Sequence, residues 1–245
     1  MYQVVAFLIC ACCLCACNNG APQKSAEKSA LVVPTKKKDG KALDAKLHPD
    51  LVDIQQSHSQ IQIELKYTTS ANFLGEKLYS KIDKAYLQKD VAARLARVQK
   101  ALQQTHPGYQ LLIYDALRPV TVQQKMWDAL DSLPPVERGK FVSNPKNRSL
   151  HNMGAAVDLT ILDQNGVPLD MGAGYDDIRQ IAYPSMEKQF VAEGKLMVVH
   201  MENRDLLRNV MKSQGFRQLQ TEWWHFNACS RAEGLLKYKV LLEEP

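Results

Sequence analysis

Hydrophobic and polar positions follow two different periods from about residue 48 onward, and these periods predict both strands and helices. In IQIELKY, residues 61–67, apolar side chains recur at every second position, which is typical of a half-buried strand. In residues 87–106 they recur three and four positions apart until Pro107 and Gly108, which predicts an amphipathic helix. The runs YQLLIYD (109–115) and GAAVDLTILD (154–163) are short and mostly apolar, so each predicts a buried strand.

Smaller elements are predicted around these four. Pro119 is expected to open a helix that extends to about Leu130, because proline is tolerated in the first helical turn. The Asn165–Gly166 pair predicts a hairpin turn. Further helices are predicted at 184–194 and 202–214, and short strands at FRQL (216–219) and WWHF (223–226). Because helices and strands are interspersed without a regular βαβ repeat, we predict an α+β fold, a single domain in which helices flank a small central antiparallel or mixed sheet.

The N-terminal 47 residues have a different composition. Residues 1–17 contain the apolar run VVAFLICACCLCAC, which is too short to span a bilayer as a helix and is typical of a signal peptide. The sequence LCAC followed by NNG resembles a bacterial lipoprotein signal, so Cys17 is the expected lipid attachment site. Cys12 is a second possible cleavage point, and an ordinary secretory signal is the alternative. Residues 18–47 predict a flexible tether, and the folded domain is expected to occupy 48–245.

Charge and cysteine content narrow the possible partners. The formal charge of +5 lies mainly in residues 18–47, which hold seven lysines and three acidic residues, so the remaining chain is nearly neutral and predicts no nucleic-acid partner. Only Cys229 follows the five cysteines of the first 17 residues, which excludes an internal disulfide framework. A lipid anchor would attach the protein to a membrane of the cell envelope, facing the periplasm. A soluble periplasmic or secreted protein is the alternative.

Two segments carry side chains suited to a metal site at the sheet. His151 and Asp158 lie seven residues apart around a predicted strand, and His225 is the best candidate for the third of the protein ligands that a catalytic zinc usually takes. The small residues Gly154, Ala155 and Ala156 between His151 and Asp158 are expected to permit close backbone approach and to leave room for an ion. Glu222 lies three residues before His225, so the two share a face only if Glu222 precedes the strand or the backbone bulges. With that geometry Glu222 could accept a proton from a metal-bound water.

Each of these residues also has a simpler interpretation. Taken singly, His151 is more often a loop histidine and Asp158 a helix or turn cap, and their spacing leaves these roles and a metal site equally open. Arg118, between a predicted strand and helix, is either a capping or surface residue or a cation that faces a developing oxyanion. His200 is a possible substitute ligand, and Cys229 is expected to be a buried structural thiol.

Six segments in order along the chain resemble one family. SLHNMGAAVDLTI (149–161) has the Ser-x-His-(x)6-Asp pattern of the zinc D-alanyl-D-alanine dipeptidases, the VanX-like branch of the zinc D,D- and L,D-peptidases. The other matching segments, which place the resemblance over about residues 48–230, are LKYTTSANFLGEKLY (65–79), YDALRP (114–119), MGAGYDD (171–177), SQGF (213–216) and EWWHF (222–226). The family pattern has phenylalanine where this chain has Tyr175.

The resemblance implies a zinc metallopeptidase that holds one Zn²⁺ per chain and hydrolyses D-alanyl-D-alanine to two D-alanines in the cell envelope. By position it assigns His151, Asp158 and His225 as zinc ligands, Glu222 as the general base, Arg118 as the residue that stabilises the tetrahedral intermediate, Tyr67 and Ser149 as pocket residues, and Asp176 as the acid at the amino end of the dipeptide. Two alternatives remain. One is a D,D- or L,D-carboxypeptidase that trims peptidoglycan stem peptides, and the other is a non-catalytic peptidoglycan-binding module.

Overall fold

The computed structural model describes residues 48–245. The predicted signal peptide at 1–17, Cys17 and the predicted tether at 18–47 lie outside the described residues. Within residues 48–245, no helix is both long and apolar enough to cross a membrane.

A mixed five-stranded sheet forms the centre of the fold, in the order β2-β4-β5-β7-β6. The β2–β4 pair is parallel and the other neighbours are antiparallel. A second, two-stranded sheet pairs β1 with β3. The strands are β1 (Leu51–Asp53), β2 (Gln62–Ile63), β3 (Tyr86–Gln88), β4 (Gln110–Asp115), β5 (Ala156–Leu162), β6 (Arg217–Gln218) and β7 (His225–Asn227).

Helices cover this sheet, so the predicted α+β class and the mixed central sheet are confirmed. The helices are α1 (Ile54–Ser57), α2 (Lys89–Thr105), α3 (Val120–Asp128), α4 (Pro135–Arg138), α5 (Glu187–Ala192), α6 (Val198–Ser213) and α7 (Arg231–Lys237). The apolar face of α2, which includes Val91, Leu95 and Leu102, is fully buried in the core. Each such leucine contributes about 1.5–3 kcal/mol through removal from water. All seven residues of β5 are buried, which explains its nearly continuous apolar run.

The long periodic segments were predicted well, and the short ones less well. The structure confirms the helix at 89–105, the buried strands β4 and β5, and the turn at Asn165–Gly166, where the Asp163 amide donates to the Val167 carbonyl at 2.8 Å. The prediction of one strand over 61–67 was wrong. Only Gln62 and Ile63 pair with β4, and a 3-10 turn at Lys66–Thr68 then carries the chain away from the sheet.

Several helix boundaries also differ from the prediction. The helix expected at 202–214 begins at Val198, because His200 Nδ1 accepts the Met197 amide at 3.2 Å and caps the first turn. The helix expected at 184–194 is a 3-10 turn at Pro184–Met186 followed by α5. The strand expected at WWHF begins only at His225. Helix α7 and the β1–β3 sheet were not predicted.

Candidate active site

Three side chains from separate parts of the chain converge on one point at the central sheet. His151 Nε2 lies 3.3 Å from Asp158 Oδ1. His225 Nδ1 lies 2.9 Å from the same oxygen, and the two ring nitrogens are 3.2 Å apart. Across residues 48–245, this is the cluster of His, Cys, Asp and Glu ligand atoms that is compact enough to hold a metal ion. The structure therefore brings together the three residues that the sequence predicted as ligands.

The hydrogen bonds of the two outer histidine nitrogens determine which nitrogen of each ring carries the proton. His151 Nδ1 lies 2.6 Å from the Ala116 carbonyl oxygen, and His225 Nε2 lies 3.0 Å from Asn227 Oδ1. Both oxygens are acceptors, so each outer nitrogen of a neutral ring carries the proton. His151 Nε2 and His225 Nδ1 therefore present lone pairs to Asp158.

This arrangement fits a metal ion. Lone pairs that face a carboxylate oxygen at these distances repel one another unless a cation lies between them. A tetrahedral metal with bonds of about 2.0–2.1 Å would separate its ligand atoms by roughly 3.3–3.4 Å, close to the observed 2.9–3.3 Å. Burial raises the pKa of Asp158, but its interactions with His151 and His225 as imidazolium ions hold that pKa well below its usual range, and a bound cation would replace their positive charge beside neutral rings.

Asp115, Asp158 and His225 lie side by side on three neighbouring strands of the sheet. Asp158 on β5 is the register partner of His225 on β7 and of Asp115 on β4. The register shifts between Ile113 and Asp115, and this bulge brings Asp115 level with Asp158. His151 opens a 3-10 turn, His151–Met153, immediately before β5. The three candidate ligands thus lie at the sheet, as the sequence predicted.

Gly154 lies where the backbone packs closely against two neighbouring strands. Its φ of +63° is in the left-handed region, and an added Cβ would come within 2.8 Å of Leu51 Cδ2 and 3.3 Å of the Gln88 amide nitrogen. The Gln88 amide donates to the Gly154 carbonyl at 3.0 Å. The expected close backbone approach is therefore confirmed at Gly154, which packs against β1 and β3, and the room for an ion stays a prediction.

Glu222 lies just before β7, which resolves the problem of its spacing from His225. The strand begins at His225, so the period of two does not apply to the three preceding residues. Glu222 Oε2 lies 3.8 Å from His225 Nδ1, next to the three ligand atoms but not among them. Burial raises the pKa of Glu222 to about 7, against the opposing effect of His225. A bound cation would favour the ionised form.

Arg118 faces the cluster and is held by two carboxylates. Its Nε donates to Asp115 Oδ2 at 2.8 Å, and its Nη2 lies 3.3 Å from Asp158 Oδ2. Tyr79 donates to the other Asp115 oxygen at 2.6 Å. Neither Asp115 nor Tyr79 was assigned a role from the sequence, although both lie in segments that match the family, YDALRP and LKYTTSANFLGEKLY.

Asp176 and Tyr67 form a second polar pair in the same cavity. The Tyr67 hydroxyl donates to Asp176 Oδ1 at 3.0 Å, whereas the buried Oδ2 has no hydrogen-bond partner within residues 48–245. Burial and the nearby Asp158 charge raise the pKa of Asp176 to about 7. Asp176 also has a φ of +60°, which is uncommon for a residue other than glycine.

Ser149 lies on another wall of the cavity. Its hydroxyl donates to Gln123 Oε1 at 2.6 Å, and the same oxygen accepts from Asn152 Nδ2 at 2.9 Å. Asn152 Nδ2 also donates to the Arg118 carbonyl at 2.8 Å. This buried network joins the turn that carries His151 to the segment that carries Arg118.

All eight predicted site residues line one cavity of about 360 Å³. His200 lies outside this cavity and contacts Asp170 Oδ2 at 3.2 Å, so it is not one of the clustered candidate ligands. Cys229 is half-buried and lines the cavity, in contrast to the buried thiol that was expected.

A mixed sheet that bears two histidines, an aspartate and an adjacent glutamate in one cavity is the arrangement of a metallopeptidase. The chain belongs to the D-ala-D-ala dipeptidase family of peptidases, whose family model matches residues 48–240.

Characterised relatives agree with this membership. A D-alanyl-D-alanine dipeptidase of Escherichia coli (strain K12) is 33% identical over 177 residues, which cover 72% of this chain and 83% of the relative. A D-alanyl-D-alanine dipeptidase of Synechocystis is 30% identical over 168 residues, covering 58% of this chain and 68% of the relative. One from Enterococcus faecalis is 27% identical over 180 residues, covering 68% and 85%.

Proposed function

We propose that this protein hydrolyses D-alanyl-D-alanine to two D-alanines at a single zinc ion held by His151, Asp158 and His225. The observation that carries the proposal is the cluster of three mutually close ligand atoms with Glu222 beside it. Three protein ligands leave a coordination position open, as catalytic zinc sites require. When bound, zinc would polarise the scissile carbonyl and acidify a water molecule.

The protein side chains supply the remaining steps. Glu222, 3.8 Å from His225 Nδ1, accepts the proton of the attacking water and returns a proton to the leaving amine. The Arg118 Nε and Nη2 groups are held by Asp115 and Asp158. Arg118 Nη1 makes no hydrogen bond to the rest of residues 48–245, so it is free to donate to the oxygen on which negative charge develops.

Asp176 favours a dipeptide over a longer peptide. Its buried Oδ2 lacks a donor, and the free ammonium of a dipeptide would supply one together with a compensating charge. A stem peptide of peptidoglycan has a neutral amide at the same position, which brings no positive charge to the carboxylate. Zinc-loaded protein should therefore cleave D-Ala-D-Ala and leave a stem pentapeptide intact. The opposite preference would favour a carboxypeptidase, and cleavage of neither would favour a binding module.

Asp176→Asn should weaken recognition of the substrate ammonium. We expect KM for D-Ala-D-Ala to rise by about tenfold or more, since a charge-assisted hydrogen bond contributes about 1.5–3 kcal/mol. Steady-state kinetics would measure the effect. Asp83→Asn is the matched control, because Asp83 is exposed and lies outside the cavity. An unchanged KM in Asp176→Asn would remove this residue from substrate binding.

The location of the activity remains a proposal from the sequence. We propose that Cys17 carries a lipid and that the enzyme acts on dipeptides in the cell envelope, which favours cell-wall turnover over depletion of the cytoplasmic precursor pool. Cells fed radioactive palmitate should label the wild-type protein and not Cys17→Ser. Cys12→Ser is the control, and loss of label in that variant alone would move the attachment site.

A further inference from the structure

Tyr175 lies between the proposed metal site and the proposed substrate pocket. Its hydroxyl is 3.1 Å from Asp158 Oδ2 and 3.1 Å from the Tyr67 hydroxyl. Asp158 is the proposed metal ligand, and Tyr67 donates to Asp176, the proposed ammonium site. One hydroxyl therefore contacts both halves of the active site.

The two oxygens of Asp158 face different partners. Oδ1 points at His151 Nε2 and His225 Nδ1, so it is the oxygen placed to bind the metal. Oδ2 receives hydrogen bonds from Arg118 Nη2 and from the Tyr175 hydroxyl. A ligand carboxylate whose outer oxygen is hydrogen-bonded has its orientation fixed before the metal binds.

The ring of Tyr175 packs against two other aromatic rings. Its centroid is 5.0 Å from that of Tyr114 and 5.3 Å from that of Trp224. The hydroxyl is therefore presented to Asp158 by a packed ring with little rotational freedom. The Tyr67 hydroxyl gives its single proton to Asp176 Oδ1. The Tyr175 hydroxyl also has a single proton, for which the Asp158 carboxylate and the Tyr67 oxygen compete, so a change at Asp176 that alters the Tyr67 oxygen also alters the hydrogen bond to Asp158.

We propose that Tyr175 is a positioning residue that orients Asp158 for the metal and couples this ligand to Asp176 through Tyr67. The proposal rests on the proposed function, because it assumes a metal at Asp158 and a substrate ammonium at Asp176. The dipeptidase pattern that the sequence resembles has phenylalanine at this position, so the hydroxyl bridge is a feature of this chain that the shared motif does not supply.

Tyr175→Phe tests the orienting role. The variant keeps the ring contacts and should fold, and the Kd for zinc, measured by competition with a chromophoric chelator, should rise by about tenfold. Tyr114→Phe is the matched control, because the Tyr114 ring packs on Tyr175 but its hydroxyl makes no hydrogen bond within residues 48–245. A zinc Kd in Tyr175→Phe equal to that of Tyr114→Phe would overturn the orienting role.

A double-mutant cycle tests the coupling. Asp176→Asn should change the zinc Kd by a larger factor in the wild-type background than in the Tyr175→Phe background, because the second background lacks the bridge. Equal factors would mean that Asp176 acts on the metal through space alone, and would overturn the coupling.

These binding measurements do not depend on turnover. Wild-type protein that binds zinc but does not cleave D-Ala-D-Ala would refute the proposed function and the coupling to substrate. The zinc Kd values would still decide whether Tyr175 orients Asp158. Wild-type protein that binds no zinc would overturn both.

Discussion

Glu222→Gln is expected to lower kcat for D-Ala-D-Ala by about 10²–10⁴-fold, the range that general acid–base catalysis contributes. Glutamine matches the shape of glutamate but cannot accept a proton from water. Because Glu222 is adjacent to the three ligand atoms and not one of them, the variant should retain about one zinc per chain. Steady-state kinetics and metal analysis of the same preparation would measure both quantities.

Glu202→Gln is a matched control for this change. Glu202 is exposed on α6 and does not line the cavity, so its kcat and zinc content should equal those of the wild type. Wild-type turnover in Glu222→Gln would remove Glu222 from the mechanism. Loss of zinc from Glu222→Gln would instead identify Glu222 as a ligand, contrary to the geometry.

His225→Ala is expected to have the second large effect, through loss of the metal itself. It leaves two of the three ligand atoms, and zinc affinity should fall by more than about 100-fold, the upper end of what the loss of an outer-shell partner costs. Turnover should fall in parallel and should recover only in part at high zinc concentration. The two variants are therefore distinguished by their zinc content at similarly low activity.

His106→Ala controls for the general effect of removing a histidine. His106 caps the end of α2 and its ring packs against Tyr109, outside the cavity. We expect normal zinc content and turnover from this variant. Full zinc occupancy in His225→Ala would show that the metal is held elsewhere.

The strongly periodic segments and the site residues could be predicted from the sequence. The helix at 89–105 and the strands β4 and β5 are long enough for their apolar periods to outweigh local irregularities. His151, Asp158, His225 and Glu222 fall in motifs whose order along the chain indicated one site. The structure brings these four side chains together, and their roles stay predictions.

Features that depend on tertiary contacts could not be predicted in this way. Strands of three residues such as β1 and β3 are too short to show a period and are stabilised by their partners. Asp115 reads as the end of an apolar strand, and only the bulge in β4 brings it level with Asp158. The requirement for glycine at 154 arises from β1 and β3, which the local sequence does not reveal.

Titration of metal-free protein with zinc, with D-Ala-D-Ala turnover as the readout, tests the central claim most directly. If His151, Asp158 and His225 hold one catalytic zinc, turnover should be negligible without metal, rise in proportion to added zinc, and level off at about one equivalent per chain. Turnover that is independent of zinc, or absent at full zinc occupancy, would contradict the account.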